Sequence, residues 1–233
     1  MKNILLASTS TLFNGDYLDY LLPVLKTHFK NCKTILFIPY ARPGGISYEA
    51  YTKKASDAFK IIDIEIKGLH EFKHPVEAIK NAEGIFTGGG NTFVLLNELY
   101  KNNYIDVLKN VISAGTPYLG TSAGSNICGQ NIKTTNDMPI VYPPSFNALQ
   151  LVPFNINPHY LDPEVNSKHM GETRETRINE FHTQNNLPVI GLREGSWLEV
   201  KNETILLKGN LEARIFEKDQ KPYEIKPDTL ITF

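Results

Sequence analysis

The sequence is poor in several features that would indicate a particular class of protein. It has only two cysteines, Cys32 and Cys128, without C-x-x-C spacing, which favours free thiols over a disulfide framework. Its formal net charge of −1 argues against nucleic acid as a partner. No histidine stands at zinc-motif spacing from a second ligand, so we expect no metal.

Long apolar runs are also missing. No stretch approaches the roughly 18 apolar residues of a membrane span, and the apolar run at residues 4–7 is too short for a signal peptide. We therefore expect a cytoplasmic protein without a membrane partner, as a monomer or homodimer. Because 233 residues of ordinary composition show no linker, we expect residues 1–233 to form a single domain.

The first half of the chain alternates short apolar runs with helical patterns. Continuous apolar strands such as residues 34–39 (T-I-L-F-I-P) are typical of a parallel sheet covered on both faces. From residue 189 onward, short strands separated by turns indicate an antiparallel end. The predicted fold class is α/β, with a mostly parallel open sheet, helices on both faces and antiparallel C-terminal strands. The predicted strands of the first half are 3–8, 34–39, 61–66, 84–87 and 117–120, and the predicted helices are 17–29, 48–60, 75–81, 93–101 and 105–114.

A G-x-S-x-G pentapeptide, Gly120-Thr121-Ser122-Ala123-Gly124, follows the last of these strands and precedes a short helical segment. Between a strand and a helix this pattern is typical of a nucleophile elbow, where small neighbours permit a tight turn that exposes the serine hydroxyl. The simpler alternative is a small-residue turn. The pattern predicts Ser122 as a nucleophile for acyl transfer.

A second turn, Gly88-Gly89-Gly90-Asn91-Thr92, joins the strand at 84–87 to the helix at 93–101. It does not fit the G-x-G-x-x-G fingerprint of dinucleotide sites, but its glycines let the backbone approach a ligand. Ligands of such sheets bind beyond the carboxyl ends of the strands, so the two turns should share a crevice. We predict that the amides of Ala123 and of Gly90, or its neighbour Gly89, form an oxyanion hole. A plain flexible turn is the alternative.

A serine nucleophile needs a base and a group that orients the base. His159 is the best candidate base because it ends an extended apolar stretch at 151–160, whereas His169 and His182 lie in charged segments. Two carboxylates compete to orient it. Asp137 lies in a polar segment between the serine and the histidine and is preferred, and Glu194 at the end of a predicted strand is the alternate.

Five blocks of sequence in this order resemble the peptidase E family. They are G-G-G-N-T-F (88–93), G-T-S-A-G-S-N (120–126), T-T-N-D-M-P-I-V (134–141), I-N-P-H (156–159) and G-E-T-R-E-x-R (171–177). The resemblance implies a fold like that of class I glutamine amidotransferases, with serine in place of their cysteine. It implies a serine exopeptidase without cofactor that hydrolyses dipeptides with an N-terminal aspartate through an acyl-enzyme. By matching blocks, it implies Ser122, His159 and Asp137 as the catalytic residues, and Glu194 also lies in a matching block.

The family's preference for aspartate implies a cation in the substrate pocket. Arg174 is the predicted group because a guanidinium can hold a carboxylate through two parallel hydrogen bonds. Its alternative is a surface salt bridge with Glu175 or Glu180. Asn91 is also predicted to bind substrate. Two other functions stay open at this point: a cyanophycinase-like β-aspartyl peptidase and a non-catalytic amidotransferase-like binding module.

Overall fold

Two β-sheets share one core in the computed structural model, which describes residues 1–163, 168 and 170–233. The larger sheet has seven strands with helices on both faces, and the smaller sheet has four strands. The predicted α/β class is confirmed.

The strands and helices are short. The strands are β1 (Asn3–Ala7), β2 (Thr34–Ile38), β3 (Glu65–Gly68), β4 (Ile85–Thr87), β5 (Tyr118–Thr121), β6 (Asn155–Pro158), β7 (Val189–Leu192), β8 (Ser196–Lys201), β9 (Thr204–Gly209), β10 (Ala213–Phe216) and β11 (Tyr223–Ile225). The α-helices are α1 (Leu22–His28), α2 (Tyr48–Phe59), α3 (Pro75–Lys80), α4 (Thr92–Lys101), α5 (Ile105–Ala114), α6 (Ala123–Asn126) and α7 (Arg174–Gln184).

The larger sheet has the strand order β3-β2-β4-β5-β1-β8-β9. Its first five strands are parallel, and β8 and β9 continue it in antiparallel pairing. The smaller sheet has the order β11-β10-β7-β6, with β6 parallel to β7 and the other pairs antiparallel. The antiparallel strands expected after residue 189 are therefore present, but they are divided between the two sheets.

The central strands are apolar along their whole length because both faces of the large sheet are covered. In β1, Ile4 and Leu6 pack on the side of α3, α4 and α5, while Leu5 and Ala7 pack on the side of α1 and α2. Alternate side chains of a strand point to opposite faces, so a strand buried on both faces needs no polar positions.

The edge strand β3 differs from its sequence prediction. Residues 60–62 form a 3-10 turn, and β3 begins only at Glu65. Asp63 ends the turn in the left-handed conformation with φ 59°, and the side chain of Ile61 is exposed. The apolar pair Ile61-Ile62 therefore belongs to the 3-10 turn that follows α2 and not to the strand. Similarly, α1 begins at Leu22, because Pro23 occupies its first turn.

Both cysteines are free, as expected, and both are buried. Burial raises the pKa of the Cys128 thiol to about 12, so this group stays protonated at neutral pH.

Within the described residues, no helix has the length and apolar character required to cross a membrane.

The imidazole of His28 at the end of α1 makes the fold sensitive to acid. Its Nε2 lies 3.1 Å from the carbonyl oxygen of Tyr118, and burial lowers the pKa of His28 from 6.5 to about 4. The unfolded chain takes up this proton near pH 6.5, while the folded chain resists it until pH 4. The contribution of His28 to stability is therefore complete above pH 6.5 and is lost as the pH falls toward 4.

We expect His28→Gln to flatten the pH dependence of the free energy of unfolding between pH 6.5 and 4, since glutamine cannot take up the proton. Urea unfolding at several pH values in this range measures the slope. His74→Gln at an exposed position is the matched control and should retain the wild-type slope. Parallel curves for wild type and His28→Gln would contradict the prediction.

Candidate active site

Ser122 follows β5 directly and has an unusual backbone conformation, with φ 53° and ψ −112°. A Cβ at Gly120 would lie 2.4 Å from the carbonyl oxygen of Gly124, and one at Gly124 would lie 2.1 Å from that of Thr87. Larger side chains would force the backbone apart at both positions. The pentapeptide thus lies in the strand–turn–helix context of a nucleophile elbow. Because α6 has only four residues, its helix dipole contributes little to the positive potential at Ser122. That potential comes mainly from the free amides of its first turn.

His159 connects Ser122 to a carboxylate. Its Nε2 lies 2.8 Å from Oγ of Ser122, and its Nδ1 lies 2.6 Å from Oε1 of Glu194. A carboxylate can only accept, so in a neutral imidazole Nδ1 carries the proton and Nε2 can accept the proton of the serine. This is the arrangement of a nucleophile, a base and an orienting group.

Glu194 reaches His159 because of strand pairing in the small sheet. In the parallel pair β6 and β7, Pro158 lies opposite Leu192, so the residues that follow the two strands meet at one edge. Glu194 was the alternate in the sequence analysis, and its contact with Nδ1 corrects the preference for Asp137.

Asp137 has other partners. Its Oδ2 accepts hydrogen bonds from the backbone N–H of Thr92, at 2.7 Å, and from the hydroxyl of Thr135, at 3.1 Å. These bonds attach its loop to the first turn of α4, where a carboxylate is favourable. Asp137 still lines a small crevice together with Ser122 and His159, so it belongs to the site without orienting the imidazole.

Ser8 is a site residue that the sequence analysis did not identify. Its buried hydroxyl accepts a hydrogen bond from the backbone N–H of His159, at 2.8 Å, and donates one to the carbonyl of Leu192, at 2.7 Å. Ser8 lies at the end of β1 and therefore links the small sheet to the large one. In the sequence, Ser8 begins a segment rich in small polar residues (8–15), which predicts a loop but not this role.

The glycine turn offers two backbone donors beside Ser122. Within the described part of the chain, the N–H groups of Gly89 and Gly90 have no acceptor, and neither has that of Ala123. A Cβ at Gly89 would lie 2.9 Å from Cβ of Ser122, so the turn directly adjoins the serine. The other N–H groups of the turn are bonded, from Gly88 to Ile38 O, from Asn91 to Ala41 O and from Thr92 to Asp137.

Asn91 caps α4. Its Oδ1 accepts from the N–H of Val94, at 3.0 Å, and its Nδ2 donates to the carbonyl of Met138, at 2.9 Å. Each end of the amide thus has one hydrogen-bond partner within the fold, and the binding of substrate by Asn91 stays a prediction.

Arg174, the first residue of α7, lines a cavity of about 450 Å³ beside His159 and Glu194. Among the described residues it has no ion-pair partner, and Glu175 pairs instead with Arg214, at 2.9 Å. Burial and then repulsion from Arg177 lower the pKa of Arg174, while the negative charge of Asp137 opposes the change.

The second arginine of this cavity is fully engaged. The guanidinium of Arg193 donates to both carboxylate oxygens of Asp162 and to both of Glu224, at 2.8 to 2.9 Å. These hydrogen bonds raise the pKa of Arg193 further above its usual range. Its charge is therefore already neutralised, which leaves Arg174 as the available cation among the described residues that line the cavity.

His182, another histidine candidate, does not join the site. His182 is buried and its Nε2 lies 2.9 Å from the carbonyl of Leu187, while His169 lies outside the described residues. Over residues 1–163, 168 and 170–233, no three His, Cys, Asp or Glu side chains group as ligands for a metal ion.

The sequence model described as Peptidase family S51 matches residues 4–208. The chain belongs to peptidase family S51. A relative named probable alpha-aspartyl dipeptidase from Drosophila melanogaster is 46% identical over 100% of this chain and 97% of its own length. A relative named peptidase E from Streptomyces coelicolor is 43% identical over 96% of this chain and 90% of its own length. The resemblance to the peptidase E family is thereby confirmed.

Two solved structures are similar to this chain in fold. A putative peptidase E from Listeria monocytogenes aligns with a TM-score of 0.68 at 22% identity, covering 90% of this chain and 98% of that one. A peptidase from an acI-B1 actinobacterium aligns with a TM-score of 0.75 at 18% identity, covering 100% of this chain and 97% of that one. At these identities the likeness concerns the fold.

We expect Glu194→Gln to slow labelling of Ser122 by a fluorophosphonate by at least about 100-fold, since the amide no longer fixes the imidazole or balances its charge. Asp137→Asn should label at nearly the wild-type rate, because Asp137 does not contact Nδ1. Glu203→Gln, at an exposed glutamate far from the serine, is the control. If Asp137→Asn lost labelling while Glu194→Gln kept it, the roles would be reversed.

Proposed function

We propose that this chain is a serine dipeptidase that hydrolyses dipeptides with an N-terminal aspartate through an acyl-enzyme on Ser122. The observation that carries the proposal is the hydrogen-bonded series Ser122–His159–Glu194 beside free amides of the glycine turn. The names of the S51 relatives, alpha-aspartyl dipeptidase and peptidase E, support the same substrate class.

In the proposed reaction, Oγ of Ser122 attacks the carbonyl that follows the aspartate, and His159 accepts the hydroxyl proton at Nε2. Glu194 balances the positive charge that develops on the imidazole. The amides of Ala123 and Gly90 hold the oxyanion. His159 then protonates the leaving amine, and a water molecule, deprotonated by the same imidazole, releases the aspartyl group.

The charges around Ser122 are complementary to an N-terminal aspartate, which carries an ammonium and a carboxylate. Arg174 would hold the carboxylate through charge-assisted hydrogen bonds. Asp137 would hold the ammonium, since both described hydrogen bonds to its carboxylate use Oδ2 and leave Oδ1 available. A polymer that presents arginine side chains fits less well, because the acids Asp162 and Glu224 are paired with Arg193.

The proposal includes further expectations from the sequence. The enzyme would act in the cytoplasm, as a single-domain monomer or homodimer, and the proposed steps use only side chains, backbone amides and water.

Replacing the nucleophile should abolish turnover. We expect Ser122→Ala to reduce kcat for Asp-Leu by about 1,000-fold or more, with an unchanged melting temperature. Ser56→Ala, on α2 and away from the site, is the matched control. The wild type should be assayed on a panel of Asp-Leu, Asn-Leu, Glu-Leu, Ala-Leu and β-Asp-Arg. Undiminished turnover by Ser122→Ala, or a preference of the wild type for β-Asp-Arg, would refute the proposal.

The proposed binding of the substrate carboxylate by Arg174 can be tested by comparing two arginines of α7. Because a hydrogen bond to a charged group contributes about 1.5–3 kcal/mol, Arg174→Ala should lower kcat/KM for Asp-Leu by about 10- to 100-fold and affect Asn-Leu less. Arg177→Ala is the matched control, since this exposed arginine of α7 pairs with Glu172, at 3.6 Å. Equal losses in the two variants, or equal losses on the two substrates, would reject the role of Arg174.

A further inference from the structure

A buried tyrosine makes a hydrogen bond to the backbone of the glycine turn, residues 88–92. The hydroxyl of Tyr51 on α2 donates a hydrogen bond to the carbonyl of Gly89, at 3.2 Å, and the residue is 1% exposed. The fit is close, since a Cβ at Gly88 would lie 2.5 Å from this hydroxyl. The reaction proposed above does not use Tyr51.

The contact determines where the next amide points. A trans peptide is planar, so the C=O of Gly89 and the N–H of Gly90 point in opposite directions. A partner that holds the carbonyl on one side therefore holds the N–H on the other. Among the described residues, the N–H of Gly90 has no acceptor, and Gly89 adjoins Ser122.

The ends of the turn are fixed by other bonds, but its central peptide is not. The N–H of Gly88 donates to Ile38 O, and that of Asn91 donates to Ala41 O. Between them lie glycines, whose backbone rotates readily, and Gly90 has φ 145°. Within the described chain, the hydroxyl of Tyr51 is the group that bonds to the carbonyl of this central peptide.

The ring of Tyr51 is itself held firmly. It makes an edge-on contact with Phe37, with ring centroids 5.0 Å apart, and the guanidinium of Arg42 lies 5.2 Å above it. Removing only the hydroxyl would leave these contacts in place. The hydrogen bond and the packing can therefore be separated by one conservative substitution.

We propose that Tyr51 is a positioning residue that orients the Gly89–Gly90 peptide, so that the N–H of Gly90 points at the oxyanion formed on Ser122. The inference rests on the proposed function, because it assumes acyl transfer at Ser122. It assigns Tyr51 no contact with substrate. Its effect should appear in the transition state, where the oxyanion exists, and not in ground-state binding.

Tyr51→Phe tests this role. Loss of one oxyanion donor costs about 100- to 1,000-fold in kcat, and a donor that is retained but misaligned should cost less, about 10- to 100-fold. We expect this loss in kcat for Asp-Leu, with KM and the melting temperature nearly unchanged. Tyr100→Phe is the matched control, because it also removes a tyrosine hydrogen bond to a backbone carbonyl, that of Asn147, at 2.9 Å.

A second measurement needs no dipeptide. The rate of phosphonylation of Ser122 by a fluorophosphonate should fall by a similar factor in Tyr51→Phe, since the phosphonyl oxygen occupies the same site. Gly88→Ala, whose methyl group would displace the tyrosine hydroxyl, should show the same loss. Unchanged kcat and labelling in Tyr51→Phe, a loss expressed only in KM, or an equal loss in Tyr100→Phe would overturn the inference.

The two proposals fail in different ways. A wild-type protein that is labelled at Ser122 but does not hydrolyse Asp-Leu would reject the proposed substrate. The labelling rates of the wild type and of Tyr51→Phe would then decide the role of Tyr51 by themselves.

Discussion

The hydroxyl of Ser8 joins the two sheets at the point where the candidate site forms. It accepts from His159 and donates to the carbonyl of Leu192. Ser122 follows a strand of the large sheet, whereas His159 and Glu194 follow strands of the small one, so the position of the base relative to the nucleophile depends on how the sheets meet. A buried hydroxyl with both bonds made costs about 1–3 kcal/mol to disrupt. Since small displacements of reacting groups slow catalysis strongly, this link affects chemistry as well as stability.

The end of β1 also stabilises two strained backbones. The backbone φ angles of Ser122 and His159 are 53° and 55°. Residues other than glycine rarely adopt such positive values. Such conformations persist where the surroundings fix them. The N–H of Ser122 donates to the carbonyl of Ala7, and the N–H of His159 donates to Ser8. Ala7, the last residue of β1, and Ser8, which follows it, thus hold the nucleophile and the base in fixed relative positions.

The sequence predicts local features of this protein better than contacts between distant segments. Ser122 and α5 could be identified from short patterns, because an elbow and an amphipathic helix are encoded by adjacent residues. The choice of Asp137 over Glu194 was wrong because it relied on proximity along the chain. The pairing of β6 with β7 that brings Glu194 to His159 joins segments about 35 residues apart, and nothing in either strand specifies its partner.

The two arginines of the cavity show why residue type alone does not define a substrate site. Arg193 and Arg174 line the same cavity, but the carboxylates of Asp162 and Glu224 neutralise Arg193 and make it structural. Arg174 instead experiences the charge of Asp137, which belongs to the crevice at Ser122. These two opposite charges attract each other. Under the proposed function, an N-terminal aspartate replaces that attraction with two ion pairs of its own, its carboxylate at Arg174 and its ammonium at Asp137. A substrate that lacks either charge leaves one of these groups partly buried and unpaired, and discrimination then follows from the cost of that unpaired charge.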